Sequence, residues 1–405
     1  MHTEKLWSKN YILSMLSALF SSMVMNMTVT TLTLYAINTY HIGTSAGGFL
    51  AGIMLVGGAF GRTITGRYMG SHPRKVILFV TTFSFIISLL YIPSTGLVTF
   101  FIIRFLHGFM YGSVHNSIST IVVSFIPPKR IGEGLSFFSL SFPVSTAVGP
   151  FIGMMLIENF SYRTMFVAAS ISSGITLILV LMLNIKDNIA TQSPIKKEET
   201  KSVSSFFSSF IDVKLLPLSL VVALASMCYS GVTTFIDPYL KSIDLPKTAP
   251  LFFITYACLI LIFRPPVGKL LDRKGENFVL TPAIIFFSLG LTILSFATTQ
   301  TVVLANAIPL ALGFGNILTT GNAIAVKMAT SGNVGRATST YYVCTDIALG
   351  VGPLLLGIIA TSGGFETMYR VAAGILILVL VLYYIIHGRK VKTYAQAGLN
   401  NGVLK

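Results

Sequence analysis

The sequence predicts an all-α integral membrane protein with twelve transmembrane helices in two similar six-helix halves. Three observations support this prediction: the composition, the number of long apolar segments, and an internal repeat. The 405-residue chain is 53% hydrophobic and only 10% charged, whereas soluble domains carry about 25% charged residues. So few charges cannot cover a water-facing surface of this size, which excludes a soluble enzyme, a disordered protein and a fibrous protein.

Twelve segments meet the requirement of about 20 mostly apolar residues for crossing a bilayer. They are spans 1 to 12, at roughly 11–36, 46–70, 75–93, 97–125, 133–157, 163–185, 214–238, 249–271, 277–298, 301–327, 336–361 and 367–387. The first is long enough to cross, so we expect it to be a membrane span and not a cleavable signal peptide. The long polar link 186–213 is rich in Ser and Lys, which predicts a flexible cytoplasmic linker between an N-terminal half, 1–185, and a C-terminal half, 214–405.

The charge distribution predicts the orientation. The net charge is +15, but the basic residues lie in short loops rather than in one patch, so a membrane and not a nucleic acid is the expected partner. Twenty-one Lys and Arg residues fall on one side, and the other side has only Arg163, Lys241, Lys247 and Arg370. Because cytoplasmic loops collect basic residues, we expect both termini in the cytoplasm and the protein in the cell membrane.

Cysteine usage and short motifs give no sign of an enzyme. Cys228, Cys258 and Cys344 all lie inside apolar spans, where a thiol acts as a small apolar side chain. Their spacing fits neither a metal site nor a disulfide framework, and the chain has no nucleotide-binding P-loop and no H-E-x-x-H motif. We therefore expect no metal, no cofactor and no catalytic residues.

The two halves resemble each other at a nearly constant offset. "RTITGRYMGSHPRKVIL" from Arg62 matches "RPPVGKLLDRKGENFVL" from Arg264 at an offset of 202 residues. "IGEG" and "VGRA", "VGP" and "VGP", and "TMFVAA" and "TMYRVA" follow in the same order at an offset of 203. These matches indicate duplication of a six-helix unit, and two such units with a binding site near the midplane are typical of transporters.

Motifs in both halves resemble those of the major facilitator superfamily, and the likeness covers the whole chain. The loop after span 2 is similar to the family's G-x-x-x-D-R-x-G-R-K signature at Gly66, Arg74 and Lys75, but Gly70 stands at the acidic position. The copy after span 8 fits better. It retains Gly268, Asp272, Arg273 and Gly275. The resemblance implies a latch at the cytoplasmic ends of the helices that opens when the halves rock, although these charges are also explained as topology signals alone.

Spans 4 and 5 carry two further motifs of this family. Arg104, Gly108 and Gly112 in span 4 resemble its R-x-x-x-G signature. "STAVGPFIG" in span 5, with Gly149, Pro150 and Gly153, resembles the Gly-Pro signature of its proton-driven exporters. Small residues and a proline permit a bend and close helix packing, so we expect a tight seam there. Its repeat at Gly352 and Pro353 in span 11 leaves ordinary kinked packing as an alternative.

Charged residues inside spans are costly and are functional candidates by default. Asp346 lies about ten residues into span 11, about 15 Å deep and therefore near the bilayer centre. It shares a helix face with Tyr342, and a carboxyl in apolar surroundings favours its protonated form. Asp346 is thus the first candidate for proton coupling, with a structural interhelical hydrogen bond as the alternative. Asp237, beside Pro238 near the outer end of span 7, is the second candidate or else a rim residue.

Span 4 contains an unusual polar stripe of Arg104, His107, Tyr111 and His115, which share one helix face. Arginine stays charged when buried and histidine titrates near physiological pH, so this face is expected to handle protons or an anionic group. Alternatively, the histidines are hydrogen-bonded within helix packing. Spans 1, 7 and 10, which line the cavity by resemblance to the family, have similar polar faces. Their candidate substrate-cavity residues are Asn26, Thr30, Ser230, Thr233, Asn316 and Thr319.

The function expected from these features is proton-coupled export of a small molecule by alternating access, by a protein that is monomeric in the bilayer. The substrate is either a hydrophobic drug or a polar secreted metabolite, such as an amino-acid-derived metal chelator. An uptake symporter for a small polar solute, a lipid flippase, and a membrane sensor or enzyme are the alternatives. The span 5 motif argues against uptake, and the lack of catalytic motifs argues against an enzyme.

Overall fold

The computed structural model of the chain describes residues 6–69, 72–93, 96–127, 130, 134, 137–185, 212–328 and 334–390. The described residues are helical, as the composition predicts. The first six long helices are α1 Lys9–Tyr40, α2 Thr44–Tyr68, α3 Pro73–Leu89, α4 Leu97–Val122, α5 Ser141–Asn159 and α6 Tyr162–Leu181. The next four are α7 Leu216–Ser242, α8 Thr248–Lys274, α9 Glu276–Ser295 and α10 Ala307–Met328.

The last helical segment, Val334–Ile386, is broken at Gly364, whose φ of 82° and ψ of 167° are not helical. This φ favours glycine, and it divides the segment into α11, residues 334–363, and α12, residues 365–386. A short helix, Gln300–Ala305, precedes α10, and Thr299 caps it by accepting the N–H of Val302. The break at Gly364 lies between the predicted spans 11 and 12.

Nine helices in the described part of the chain are long and apolar enough to cross a membrane, and one of these includes both α11 and α12. Two further segments, α3 with 17 residues and the apolar part of α8, Thr248–Arg264, complete the set of twelve. The prediction of an all-α, twelve-helix membrane fold is confirmed. Helix ends differ from the predicted spans by a few residues, because polar caps such as Ser8 and Ser161 lie outside the apolar runs.

The chain divides into two compact units. The N-terminal unit is Met1–Pro194 with Ala249–Ala257, and the C-terminal unit is Ile195–Thr248 with Cys258–Lys405. The predicted boundaries of the two halves stay a prediction, and residues 186–211 of the predicted linker lie outside the described part. A short 3₁₀ helix, Val213–Leu215, leads into α7.

Glycines set the closest helix crossing in the N-terminal unit, between α2 and α4. A Cβ atom on Gly108 would clash with the carbonyl oxygen of Met54, and one on Gly112 would clash with that of Gly58. Glycine is required at these positions because the two backbones touch, as small residues permit in membrane helices. This crossing brings Arg104 on α4 within hydrogen-bonding distance of α2.

Candidate functional site

Arg104 is the most deeply buried charge in the N-terminal unit. Its side chain is 0% exposed. Its Nη1 donates to Thr28 Oγ1 at 2.8 Å and to Met54 Sδ at 2.9 Å, and its Nη2 donates to the carbonyl oxygen of Ala51 at 2.7 Å. A longer bond of 3.4 Å joins Nε to the carbonyl oxygen of Leu50. All these acceptors are uncharged, so α1 and α2 hold the guanidinium through dipoles alone.

The sequence explains why no carboxylate pairs with this arginine inside spans 1 to 4. It contains no Asp or Glu between Glu4 and Glu133. Burying a charge without a counter-ion costs several kcal/mol in a membrane unless polar groups replace its water. The carbonyl, hydroxyl and thioether groups around Arg104 supply that replacement, and such an expensive feature marks a functional candidate.

Tyr91 connects Arg104 to His107. The Tyr91 hydroxyl lies 3.5 Å from Arg104 Nη1 and 3.1 Å from His107 Nδ1. His107 is 1% exposed and lines a small polar cavity whose walls come from α1, α3, α4 and α6. The cavity leaves about 10 Å³ for the centre of a water-sized particle, close to the minimum for one water molecule. The cavity-lining hydroxyls belong to Ser21, Thr81, Ser84, Tyr111, Ser173 and Thr176.

His115 lies two turns beyond His107 in a different environment. Its ring is stacked with that of Tyr111 at a centroid distance of 6.1 Å. Its Nδ1 is buried and has no hydrogen-bond partner among the described residues, and Arg62 on α2 is close enough to act on it electrostatically. The predicted polar stripe of α4 is therefore one continuous face in the structure, from Arg104 to His115.

The predicted seam of span 5 packs against α1. A Cβ atom added to Gly149 would lie 2.8 Å from Asn26 Cβ and 3.1 Å from Met27 N, and one on Gly153 would lie 3.2 Å from Met27 O. Asn26 also donates to Ser145 Oγ at 3.2 Å, so a hydrogen bond joins the two helices beside the glycines. Pro150 lies inside α5, where it removes a backbone donor. Thr30 returns its hydroxyl to its own helix, at the carbonyl of Asn26.

An equivalent seam joins α11 to α7 in the C-terminal unit. A Cβ atom on Gly352 would clash with Ser230 Oγ and would lie 3.0 Å from the carbonyl oxygen of Met227. Pro353 follows inside the helix. The other predicted polar residues of α7 and α10 bond within their own helices: Ser230 to Met227, Thr233 to Ser230, Asn316 to Leu312, and Thr319 to Asn316.

The two predicted coupling acids differ in their surroundings. Asp237 is 5% exposed, and its Oδ2 accepts a hydrogen bond from Lys241 Nζ at 3.1 Å, one helical turn away. Asp346 is half-buried on α11, and so is Tyr342 on the preceding turn. Their assignment to proton coupling stays a prediction.

The predicted latch residues lie at the ends of α2, α3 and α8. Arg74 is exposed in the first turn of α3, and Gly268 and Arg273 are exposed on α8. The surroundings of Gly66 and the side chain of Asp272 lie outside the described part of the chain, so the latch stays a prediction.

The sequence interpretation did not single out Tyr91, Thr28 and Met54 around Arg104, nor Arg62 and Arg264 as functional residues. A signal for the two arginines was present, because they begin the repeated segment at an offset of 202. Arg264 on α8 is half-buried and lies within electrostatic reach of Tyr342. Tyr91, Thr28 and Met54 gave no such signal, because their role depends on which helices meet.

Comparisons with known proteins agree with this fold and these motifs. The model of the Major Facilitator Superfamily matches residues 14–315 and 246–401. The multidrug resistance protein MdtG of Klebsiella pneumoniae is 23% identical over 382 residues, which cover 92% of each chain. An uncharacterized MFS-type transporter of Methanocaldococcus jannaschii is 23% identical over 318 residues, 78% of this chain and 82% of the relative.

Solved structures share the fold at low sequence identity. A POT family transporter in complex with a thioalcohol-conjugated peptide superposes with a TM-score of 0.77 at 14% identity, covering 94% of this chain and 96% of its own. The nucleoside transporter NupG has a TM-score of 0.71 at 14% identity, with coverages of 94% and 99%. The family match extends over nearly the whole chain, and twelve apolar helices carry its motifs. The chain therefore belongs to the major facilitator superfamily and is a multi-pass membrane transporter, not an enzyme.

Proposed function

We propose that this transporter exports a small molecule in exchange for protons by alternating access. The observation that carries the proposal is the glycine seam between α5 and α1, where a Cβ atom on Gly149 would lie 2.8 Å from Asn26 Cβ. This seam is the Gly-Pro element that resembles the family's proton-driven exporters. The relatives named multidrug resistance protein MdtG, which match over 92% of the chain, support the direction of transport.

In this proposal, the two seams allow each unit to change its internal packing without opening a leak. Close contact at Gly149 and Gly352 leaves no space for water at these two crossing points, between α1 and α5 and between α7 and α11. Pro150 and Pro353 lie beside these contacts and permit bending there. The predicted latch at Arg74, Asp272 and Arg273 would hold one state until the units rock.

The proton enters from outside and neutralises a carboxylate in the C-terminal unit, and release of the substrate follows. Asp346 is the first candidate because it is half-buried near the middle of α11. Asp237 is second because its Oδ2 is already paired with Lys241 Nζ at 3.1 Å, near the end of α7. One charge moving through 100 mV is worth about 2.3 kcal/mol, which supports roughly fifty-fold accumulation before any pH gradient is added.

The substrate has either of two chemistries: a hydrophobic drug, or a polar secreted metabolite such as an amino-acid-derived metal chelator. Hydroxyl and amide groups on α1, α7 and α10 favour the polar class, and the MdtG relatives favour the drug class. Uptake into inside-out vesicles with an imposed pH gradient, tested with both classes, decides between them. Export predicts accumulation of one class that collapses when the gradient is dissipated, whereas accumulation only in right-side-out vesicles would establish an uptake symporter.

The proposed location is the cell membrane, with both termini in the cytoplasm and a monomeric transporter. Single cysteines introduced near Lys241 and Lys247 should react with an impermeant maleimide in intact cells, in a background where the three native cysteines are replaced. Cysteines introduced near Lys196 and Lys201 should react only after permeabilisation. Labelling of the second pair in intact cells would contradict the proposed orientation.

A further inference from the structure

An apolar groove with a volume of about 640 Å³ lies on the C-terminal unit, where α7 begins and α12 ends. Its size falls within the range of about 300–1,000 Å³ that is typical of small-molecule sites. The residues that line it are all apolar, and the main ones are Leu216, Leu220, Leu224, Met227, Ala348 and Leu382.

The groove begins beside a close contact between α7 and α11. At Gly352 the two helices touch through the carbonyl oxygen of Met227. One helical turn earlier on α11, at Ala348, the space between the helices belongs to the groove, which continues along α7 to Val213. Val213 is 70% exposed and Leu220 is 56% exposed, so the groove is open along its length.

The N-terminal unit fills the equivalent space with its own side chains. At the repeat offset of 203, Leu216, Leu220 and Ile386 correspond to Leu13, Ser17 and Leu183, which are 7%, 0% and 3% exposed.

Two aromatic residues at the start of α1 and two before α5 cover this position. The Tyr11 hydroxyl donates to the carbonyl oxygen of Gly134 at 2.6 Å. The ring of Trp7 packs against that of Phe137, with 5.2 Å between the ring centroids. Tyr11, Leu13, Phe138 and Leu183 belong to one buried cluster.

The exposed charges at the end of the groove are positive among the described residues. Lys214 adjoins the lining residue Val213, and Arg389 follows the lining residue Ile386 by three positions; both are exposed. The guanidinium carbon of Arg389 lies 5.2 Å from the centroid of the Tyr384 ring. The nearby Asp212 is buried, and its Oδ1 accepts the backbone N–H of Lys214.

We propose that the groove binds one phospholipid with an anionic head group. One acyl chain lies against α7, α11 and α12 and provides the apolar packing that Trp7 and Tyr11 provide in the other unit. The phosphate of the head group contacts Lys214 and Arg389, as basic clusters at the ends of membrane helices bind acidic lipids. The apolar lining excludes a free anion such as inorganic phosphate from the groove itself.

Tryptophan quenching by brominated lipids tests this proposal, since Trp7 is the single tryptophan of the chain. In a Trp7→Phe background, Leu224→Trp places a reporter in the groove, and Ile178→Trp places a control on the exposed face of α6. The full-length protein is reconstituted in phosphatidylcholine with increasing fractions of brominated phosphatidylglycerol or brominated phosphatidylcholine. Leu220→Trp serves as a second reporter if Leu224→Trp does not fold.

We expect at least tenfold preference for phosphatidylglycerol at the groove reporter and equal quenching by both lipids at Ile178→Trp. Adding Lys214→Gln and Arg389→Gln should reduce the preference to near one, because each cation near the surface contributes about fivefold. Equal quenching at the groove, or a preference that survives both substitutions, would overturn the proposal. A groove reporter that no brominated lipid quenches would also overturn it, since the groove would then be filled by protein, such as the phenylalanine-containing segment that precedes Val213.

Discussion

The helices α4 and α10 occupy equivalent positions in the two repeats, yet their buried faces have opposite chemistry. At the offset of 203, the polar stripe of α4 corresponds to an apolar stripe on α10. The pairs are Arg104 with Ala307, His107 with Leu310, Tyr111 with Phe314, and His115 with Leu318. Arg104 and Ala307 are both 0% exposed, so the same depth holds a guanidinium in one unit and a methyl group in the other.

The acidic residues show the reverse distribution. Asp237 lies within α7 and Asp346 within α11, whereas their equivalents at the same offset are Leu34 and Pro143. The duplication has therefore kept the packing glycines, such as Gly112 with Gly315 and Gly149 with Gly352, while the charges diverged. The two units are therefore specialised: the N-terminal unit buries a cation, and the C-terminal unit has carboxylates within α7 and α11, which we propose as the groups that take up the proton.

The largest effect is expected when the cation is placed in the wrong unit. Ala307→Arg buries a guanidinium where Leu310 and Phe314 offer no acceptors on the same face. A buried arginine without a counter-ion costs several kcal/mol, which is a large part of a typical total stability of about 5–15 kcal/mol. We expect loss of monodisperse protein in size-exclusion chromatography after detergent extraction.

Ala307→Met is the matched control, because it has a similar length without the charge. It should remain folded and lose only a few degrees of thermal stability from overpacking. A monodisperse Ala307→Arg protein with unchanged thermal stability would show that α10 has acceptors for a buried cation, and the contrast between the units would fail.

The next largest effect concerns the seams that both units share. Gly149→Leu forces α5 away from α1, because even a Cβ atom would lie 2.8 Å from Asn26 Cβ. We expect transport in vesicles to fall below a tenth of its normal rate while the protein remains inserted. Gly374→Leu on α12, where nothing lies within 4 Å of the added Cβ, is the control and should transport normally. Full activity of Gly149→Leu would make the seam ordinary packing.

A smaller and more specific effect is expected at Asp346. A permanent charge at its depth is costly, so we propose that the site alternates between a protonated and a charged form. Asp346→Asn imitates the protonated form and should still exchange substrate across the membrane, but it should lose accumulation driven by a pH gradient. Asp346→Glu should keep part of the activity with a shifted pH optimum. Normal gradient-driven transport by Asp346→Asn would move the coupling role to Asp237.

The sequence predicted the fold and its motifs more fully than the environments of the candidate residues. Span length and composition require twelve helices, and the repeat indicates two related units, because both features follow from local patterns. The network around Arg104 did not follow from the sequence. Its partners come from three different parts of the chain: Thr28 from α1, Ala51 from α2 and Tyr91 from just after the end of α3. The glycine crossing of α2 and α4 brings only Ala51 to it, and the other two depend on how α1 and α3 pack against α4.

The hydroxyl-bearing faces of α7 and α10 show a second limit. Helical periodicity placed Ser230, Thr233 and Thr319 on common faces, but it could not tell whether their hydroxyls point to a ligand or return to the helix backbone. In the structure each bonds to a carbonyl three or four residues earlier. This bond satisfies the hydroxyl in an apolar environment without any ligand, so polarity on a span face is weak evidence for substrate contact.

The smallest effect is expected at the ion pair between Asp237 and Lys241 on α7, and it decides the rank of the two acids. The side chain of Lys241 is 35% exposed and that of Asp237 is 7% exposed, with 3.1 Å between Nζ and Oδ2. A pair in which one partner is this exposed contributes about 1 kcal/mol or less.

If the pair is a static contact at the end of α7, Lys241→Gln should lower the melting temperature by a few degrees at most. It should leave the pH profile of transport unchanged. Lys247→Gln controls for the loss of a nearby positive charge, because Lys247 forms no ion pair among the described residues, although Asp244 lies three positions before it. If Asp237 instead carries the coupled proton, removing its cation favours the protonated carboxyl, so the pH optimum of Lys241→Gln should move upward while that of Lys247→Gln stays in place. Such a shift would place the coupling carboxylate at Asp237 and would leave Asp346 as a structural residue.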